Sequence, residues 1–328
     1  MAQEIRFATF NVFNLAPVGT KPYDNLPPVT LEQYEAKLAW TARQIDQLDA
    51  DVIGFQEVFS QDCLRDALAR TSRYRNATHV GFDPDPGSER PTPSVALVSR
   101  LPLAGPGASY AVFPEGVVMP PGSRDPDRFS RPVLHAALRL SNHCTVDVLV
   151  LHLKSKRPDF RNGDSADDPL LYAMANLRSL IRRGTEAAAV RVLLCALSKG
   201  EARPRVVLGD FNDVADAVTT RIVLGSGSGN GTETEAAYSD RLYDSYQIQL
   251  RQDHLRHVGF SNIQDGHFVT IDHILVSGEF NPASRHAIGA VLEVRYLNDH
   301  LTQDLPDASD HGQVVARVSL YDRPVPPF

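Results

Sequence analysis

Cysteine is scarce: the 328 residues hold only Cys63, Cys144 and Cys195. No pair of them has metal-site spacing, which excludes a thiolate metal centre; they read as free thiols suited to a reducing compartment. Long apolar runs are absent, and nothing approaches the roughly 20 residues a bilayer-crossing helix needs. The first residues, Met1-Ala2-Gln3-Glu4, carry neither a basic n-region nor an apolar h-region. A cytoplasmic protein is expected, or an exported one whose leader has been removed. Positive charge is also in deficit, with a net charge of −7. That argues against coating nucleic acid by bulk electrostatics and leaves only local basic rims. One such rim is Lys154-Ser155-Lys156-Arg157 with Arg161; another is Arg124, Arg128 and Arg131. No basic amphipathic helix stands out, which disfavours a membrane-surface enzyme.

Apolar residues, by contrast, make up 42% of the chain, ample for a large core. Strand-like and helix-like segments alternate with no repeat and no dividing linker, so a single domain over 1–328 is expected. Strands fit 5–11, 51–56, 94–99, 133–140, 145–153, 205–208, 270–277, 287–294 and 313–320. Thr30 opens a helix with Gln33 at the capping-box position, Ser60 caps another, and Asp168-Pro169 starts a long helical tract. That tract should break at Gly184 and stop at Gly200. The short turn 141–144 predicts an antiparallel hairpin, and therefore mixed sheets flanked by helices. Segments 83–93, 114–126 and 225–231 read as surface loops.

The stretch Arg205-Val206-Val207-Leu208-Gly209-Asp210-Phe211-Asn212-Asp213 carries the most chemistry. An apolar strand meets Gly209, expected to turn the chain tightly, and ends in Asp210 and Asn212. Two apart on extended backbone, they would share one face. Carboxylate and amide oxygens suit Mg²⁺, Mn²⁺ or Ca²⁺ far better than Zn²⁺. A strand running into an Asx turn explains the same residues equally simply. Other strands end alike: Asn11 after Thr9-Phe10, Glu57 after Gly54-Phe55-Gln56, His152 after Val150-Leu151, Asp272 after Thr270-Ile271, and Asp310-His311 in Ala308-Ser309-Asp310-His311-Gly312. Each alone has a dull reading as turn, cap or core residue. Ionisable groups closing so many apolar strands point to a shared cleft, because such groups are seldom buried without partners.

In this order the set resembles the endonuclease/exonuclease/phosphatase superfamily, which includes pancreatic-type deoxyribonuclease and apurinic endonucleases. The likeness runs from Phe7 to Val318, and its most specific parts are Gly-Asp-Phe-Asn and the closing Ser-Asp-His. It implies an α/β fold, a four-layer α/β sandwich of two packed mixed β-sheets with outer helices. By the same resemblance Glu57 is the principal Mg²⁺ ligand, with Asn11 and Asp310 as direct or water-mediated ligands. Asp210 and Asn212 match the pair that orients the attacking water. His311 matches the histidine that serves the phosphoryl oxygens, Asp272 the acid that fixes its tautomer, and His152 a second active-site histidine. Arg131 sits where a phosphate-binding arginine is placed, Tyr110 loosely matches an active-site tyrosine, and Lys154 would set a cation at the cleft lip. One departure is Phe13, where some relatives carry an acid two positions after the asparagine. A single Mg²⁺ is therefore expected, and Asn14 should face away from the site.

Hydrolysis of nucleic-acid phosphodiesters is the expected activity, by a monomer with no obligate protein partner. A phosphohydrolase acting on a small or lipid phosphate is the alternative, and a catalytically silent binding module a third.

Overall fold

The computed structural model describes residues 3–83, 92–140, 144–199, 203–225, 240–250, 259–303 and 305–321. Residues 141–143 of the expected turn, Gly200, residues 84–91 and residues 226–231 lie outside these.

Two six-stranded sheets carry the architecture. The first contains β1 (Gln3–Leu15), β2 (Val52–Val58), β3 (Thr78–Gly81), β4 (Ser94–Ser99), β13 (Gly289–Leu297) and β14 (Gln313–Leu320), ordered β13-β14-β1-β2-β4-β3. The second contains β5 (Ala108–Val112), β6 (Arg128–Arg139), β7 (Thr145–His152), β8 (Arg205–Asp210), β9 (Leu242–Asp244) and β12 (Asp272–Ser277), ordered β5-β6-β7-β8-β12-β9. β1 runs parallel to β2 and β7 parallel to β8, while the neighbouring pairs are antiparallel, so both sheets are mixed. A separate small hairpin joins β10 (Asn262–Gln264) to β11 (His267–Val269).

Side-chain alternation decides the layering. Inward residues Phe7, Val52, Leu97, Val148, Leu208 and Ile274 from both sheets form one buried cluster between them. The opposite face of the first sheet packs Phe10, Ile53 and Phe55 under α1 (Leu31–Leu48) and α2 (Gln61–Ala69). The outer face of the second packs Leu149, Val207 and Leu275 under α3 (Pro169–Ser198) and α4 (Val218–Leu224). A short α5 (Ser245–Ile248) touches β9, β12 and β13. The expected four-layer sandwich is the fold.

Helix starts follow their capping chemistry. Thr30 Oγ1 accepts from Gln33 N while Gln33 Oε1 accepts from Thr30 N, a complete capping box. Asp168 accepts from the N–H groups of Leu170 and Leu171, with Pro169 at the first helical position.

Three expectations need correction. α3 runs unbroken through Gly184 for 30 residues. Buried Arg182, Arg183, Glu186 and Ala187 anchor both sides of the glycine, and tertiary packing outweighs its propensity cost of about 1 kcal/mol. Gly209 lies inside β8 rather than in a turn, at φ +150°, where a Cβ would strike the backbone carbonyl of Leu151 on β7. β1 leaves extended geometry at Phe13 and Asn14 (φ 51° and 56°), so counting alternate faces fails there.

Candidate active site

The inter-sheet stripes change character at one end of the sandwich. Reading along inward faces, Ile5-Phe7 gives way to Thr9-Asn11, Val52-Gly54 to Gln56, Val148-Val150 to His152, and Val206-Leu208 to Asp210. In β12 the order is reversed, with Asp272 preceding Ile274 and Val276. Register aligns the polar ends: His152 lies beside Asp210, Asp210 beside Asp272, and Asn11 beside Gln56. His311, just before β14, closes the group. Asn11, His152, Asp210, Asp272 and His311 are all buried.

His311 is gripped on both sides. Its Nδ1 lies 2.8 Å from Asp272 Oδ2 and its Nε2 3.8 Å from Asp210 Oδ2. Burial alone would push this imidazole down; Asp272, then Asp210, overcome it and hold His311 well above the usual range. With Nδ1–H donated to Asp272, Nε2 is left to face the cluster. The loop is fixed by Ser309, whose Oγ donates to Asn11 O (2.6 Å) and accepts from His311 N (3.0 Å). His300 Nε2 stands 2.9 Å from His311 O.

Asp210 lies between two imidazoles, its Oδ2 3.4 Å from His152 Nε2. Burial and the neighbouring Asp272 raise its pKa to about 7. His152 is held neutral, well below its usual value, by burial and then by the charges of Arg131 and His311. Asn212 does not project beside Asp210. Its N–H donates to Asp210 Oδ1 (2.8 Å) at φ 53°, closing an Asx turn, and its Nδ2 donates to Leu153 O (2.9 Å).

Glu57 arrives at φ 62° at the end of β2, turned out of the strand's alternation. Oε2 accepts from Asn14 N (3.1 Å), so the backbone of Asn14 reaches the site even though its side chain does not bind Glu57. Asn11 Nδ2 lies 3.1 Å from Asp210 Oδ2 and 3.4 Å from Glu57 Oε1, tying the two carboxylates together. Asn11 Oδ1 accepts from Phe13 N. Burial, then Asp310, push the Glu57 carboxyl up. Asp310 is exposed, its Oδ1 3.9 Å from His311 Nε2.

This donor set fits a hard divalent ion. Glu57 and Asp310 offer oxygen only, and their mutual repulsion is what a bound cation would relieve. A second grouping, Asp210, Asp272 and His311, also has ligand atoms within 4.8 Å of one another. Binding there would have to break the Asp272–His311 hydrogen bond and displace a proton from a raised imidazole. The Glu57 side is the better match.

Three expected residues sit apart or at the margin. Arg131, half-buried, donates from Nη1 to Leu153 O (3.3 Å) and its charge acts on both Glu57 and His152. Lys154 turns its amine away, donating to Ser155 O, Arg157 O and Ser179 Oγ, and burial lowers it to about 8. Tyr110 packs with the cluster beneath α3, 6.4 Å from His135, and meets none of these groups.

Two residues not singled out by sequence do reach the site. Tyr23, on the segment between β1 and α1, hydrogen-bonds Arg131, and burial with the Glu57 charge pushes it up to about 12. Lys37, on α1, is lowered to about 8 by burial while Asp310 and Glu57 pull it back up. Neither lies in a motif, since one comes from a loop and one from a helix flank.

The model of the Endonuclease/Exonuclease/phosphatase family matches residues 8–311, from β1 to His311. The chain belongs to that family. Its members are hydrolases acting on phosphodiester or phosphate bonds and generally use divalent ions. No curated protein matches this chain in sequence. Among solved structures, a family protein from Bacteroides thetaiotaomicron superposes with a TM-score of 0.60 at 15% identity, covering 98% of this chain and 100% of its own. The mannosyl-6-phosphatase of the same organism gives 0.58 at 16%, covering 96% and 99%. D. rerio TDP2 complexed with single-strand DNA product gives 0.55 at 13%, covering 96% and 98%. At these identities the likeness is one of fold.

Proposed function

We propose that this family member is a Mg²⁺-dependent phosphodiesterase that hydrolyses nucleic acid. The observation that carries the reading is the convergence of Asn11 of β1, Glu57 of β2, Asp210 of β8, Asp272 of β12 and His311 just before β14 into one hydrogen-bonded group, joined through Asn11 Nδ2 3.5 Å from His311 Nε2. Glu57 and Asp310 would hold the cation, with Asn11 joining through water or by turning its amide; Mn²⁺ or Ca²⁺ would also suit these donors. When bound, the ion neutralises charge on the phosphoryl oxygens.

The chain's own groups supply the rest. Asp210 orients a water and takes its proton as the water oxygen attacks phosphorus and the bond to the leaving oxygen breaks. Asn212 fixes the Asp210 carboxylate through its N–H. His311, its ring held by Asp272, donates from Nε2 to the phosphoryl group as charge develops. Neutral His152 adds a second donor at Asp210, and Arg131 places a cation on the phosphate side, braced by Tyr23.

A nucleic-acid substrate is supported by the similarity to TDP2, a structure that holds a DNA product. The mannosyl-6-phosphatase among the similar folds favours a second reading, hydrolysis of a small phosphate monoester. Supercoiled plasmid incubated with Mg²⁺ or with EDTA decides between them. Nicking that EDTA abolishes is the expected outcome. Absence of nicking at high enzyme, together with phosphate release from small monoesters, would establish the phosphatase instead.

A further inference from the structure

The segment after β1 and the flank of α1 enclose a cleft of about 520 Å³ beside the carboxylates. Phe13 and Asn14 line it on one side, with Leu26, Pro27 and Ala36 among its apolar walls and Lys37 at the edge. It adjoins the catalytic group directly. The Asn14 N–H is bonded to Glu57, and Lys37 Nζ donates to Ala308 O (3.2 Å), two residues before Asp310.

Three features select the occupant. The walls are predominantly apolar, which a phosphate or a bare sugar would leave unmatched. The Asn14 Oδ1 is buried and accepts no hydrogen bond among the described residues, and a turn of the carboxamide towards the cleft would present both a donor and an acceptor, as needed to pair with the edge of a base. Lys37 Nζ stands 5.6 Å from the Phe13 ring centre and 5.4 Å from that of Trp40, so positive charge borders the flat wall. A planar, apolar group with a polar edge, attached to an anion, satisfies all three.

We propose that this cleft receives a nucleobase of the substrate, stacked against its apolar walls and read at its edge by Asn14, while the adjoining phosphate lies at the Glu57–His311 cluster. Phe13 then has a use where some relatives place an acid: it exchanges a charge for a stacking surface. The inference rests on the phosphodiesterase reading and adds a demand for a base-bearing substrate.

Trp40 is the chain's single tryptophan and lies under Lys37, so its fluorescence reports occupancy. The protein is titrated with adenosine 5′-monophosphate and with ribose 5-phosphate. A base contact of this kind should favour the nucleotide by about tenfold or more. Ala36→Phe, which fills the cleft, should remove the preference, as should Asn14→Gly, which keeps the left-handed backbone open. In parallel, kcat/KM is compared for the p-nitrophenyl ester of thymidine 5′-monophosphate and for bis(p-nitrophenyl) phosphate, and both variants should lower the ratio between them. Equal binding of the two phosphates overturns the assignment, and so does a ratio unmoved by either variant. Cleavage of neither diester, with the nucleotide still preferred, removes the phosphodiesterase reading and leaves the base-binding cleft standing.

Discussion

At the scale of single residues, Asp210 and His311 have interlocked protonation. Asp210 is pushed up to about 7 while His311 is held well above its usual range, so near neutral pH the pair contains at least one mobile proton. Asp272→Asn removes the acceptor that fixes the ring, and kcat should fall by about 10²–10⁴ with folding retained. His311→Ala and Glu57→Gln should fall at least as far; full activity in either would remove the roles proposed for them. Metal binding carries a pH signature with a definite sign. Glu57 lies above an ordinary carboxylate, and only its ionised form favours a cation, so affinity should rise with pH beyond the usual carboxylate range. Calorimetric Mg²⁺ titrations in two buffers of different ionisation heat should register proton release that diminishes as the pH is raised. The residues legible in sequence were those ending apolar runs, because a polar side chain there stands out by contrast. Tyr23 and Lys37 were not, because each arrives by tertiary approach from a loop or a helix flank.

At the scale of elements, β4 and β14 keep their expected ends, being short apolar or β-branched runs with clear polar borders. β8 owes its catalytic end to a backbone that no other residue adopts easily. Gly209→Ala would set a methyl group against the Leu151 carbonyl at φ +150° and should lower unfolding free energy by about 2 kcal/mol or more, read from urea denaturation. The same displacement would part β7 from β8, and hence His152 from Asp210. α3 was misjudged at Gly184 because propensity is a local quantity, whereas the buried arginines and Glu186 that secure the helix bind partners far along the chain. The left-handed residues Phe13, Asn14, Glu57 and Asn212 also escaped sequence reading, since nothing but the surrounding contacts selects their geometry.

At the scale of the whole molecule, the four layers follow from stripes that the sequence does display, but which stripe meets which is a matter of topology. The family resemblance, not periodicity, anticipated that pairing. Charge also acts at this scale. The chain carries −7 overall, Lys154 is tied to its own loop, and Lys156 faces Asp213 (3.3 Å). Of the two cations expected at the site, Lys154 and Arg131, it is Arg131, whose charge acts on Glu57 and His152, that remains to meet a nucleic-acid backbone. The logarithm of kcat/KM on duplex DNA should therefore fall gently with the logarithm of salt, with a slope of about −2 to −3. A slope steeper than about −5 would reveal a basic surface that these residues do not account for. Assembly order matters as well. Asn11 and Glu57 come from one sheet, His152, Asp210 and Asp272 from the other, and His311 from near the last strand. A ribosome would thus have to carry synthesis from β1 through His311 before this cluster could close, leaving the partly made chain without the groups on which the proposed hydrolysis depends.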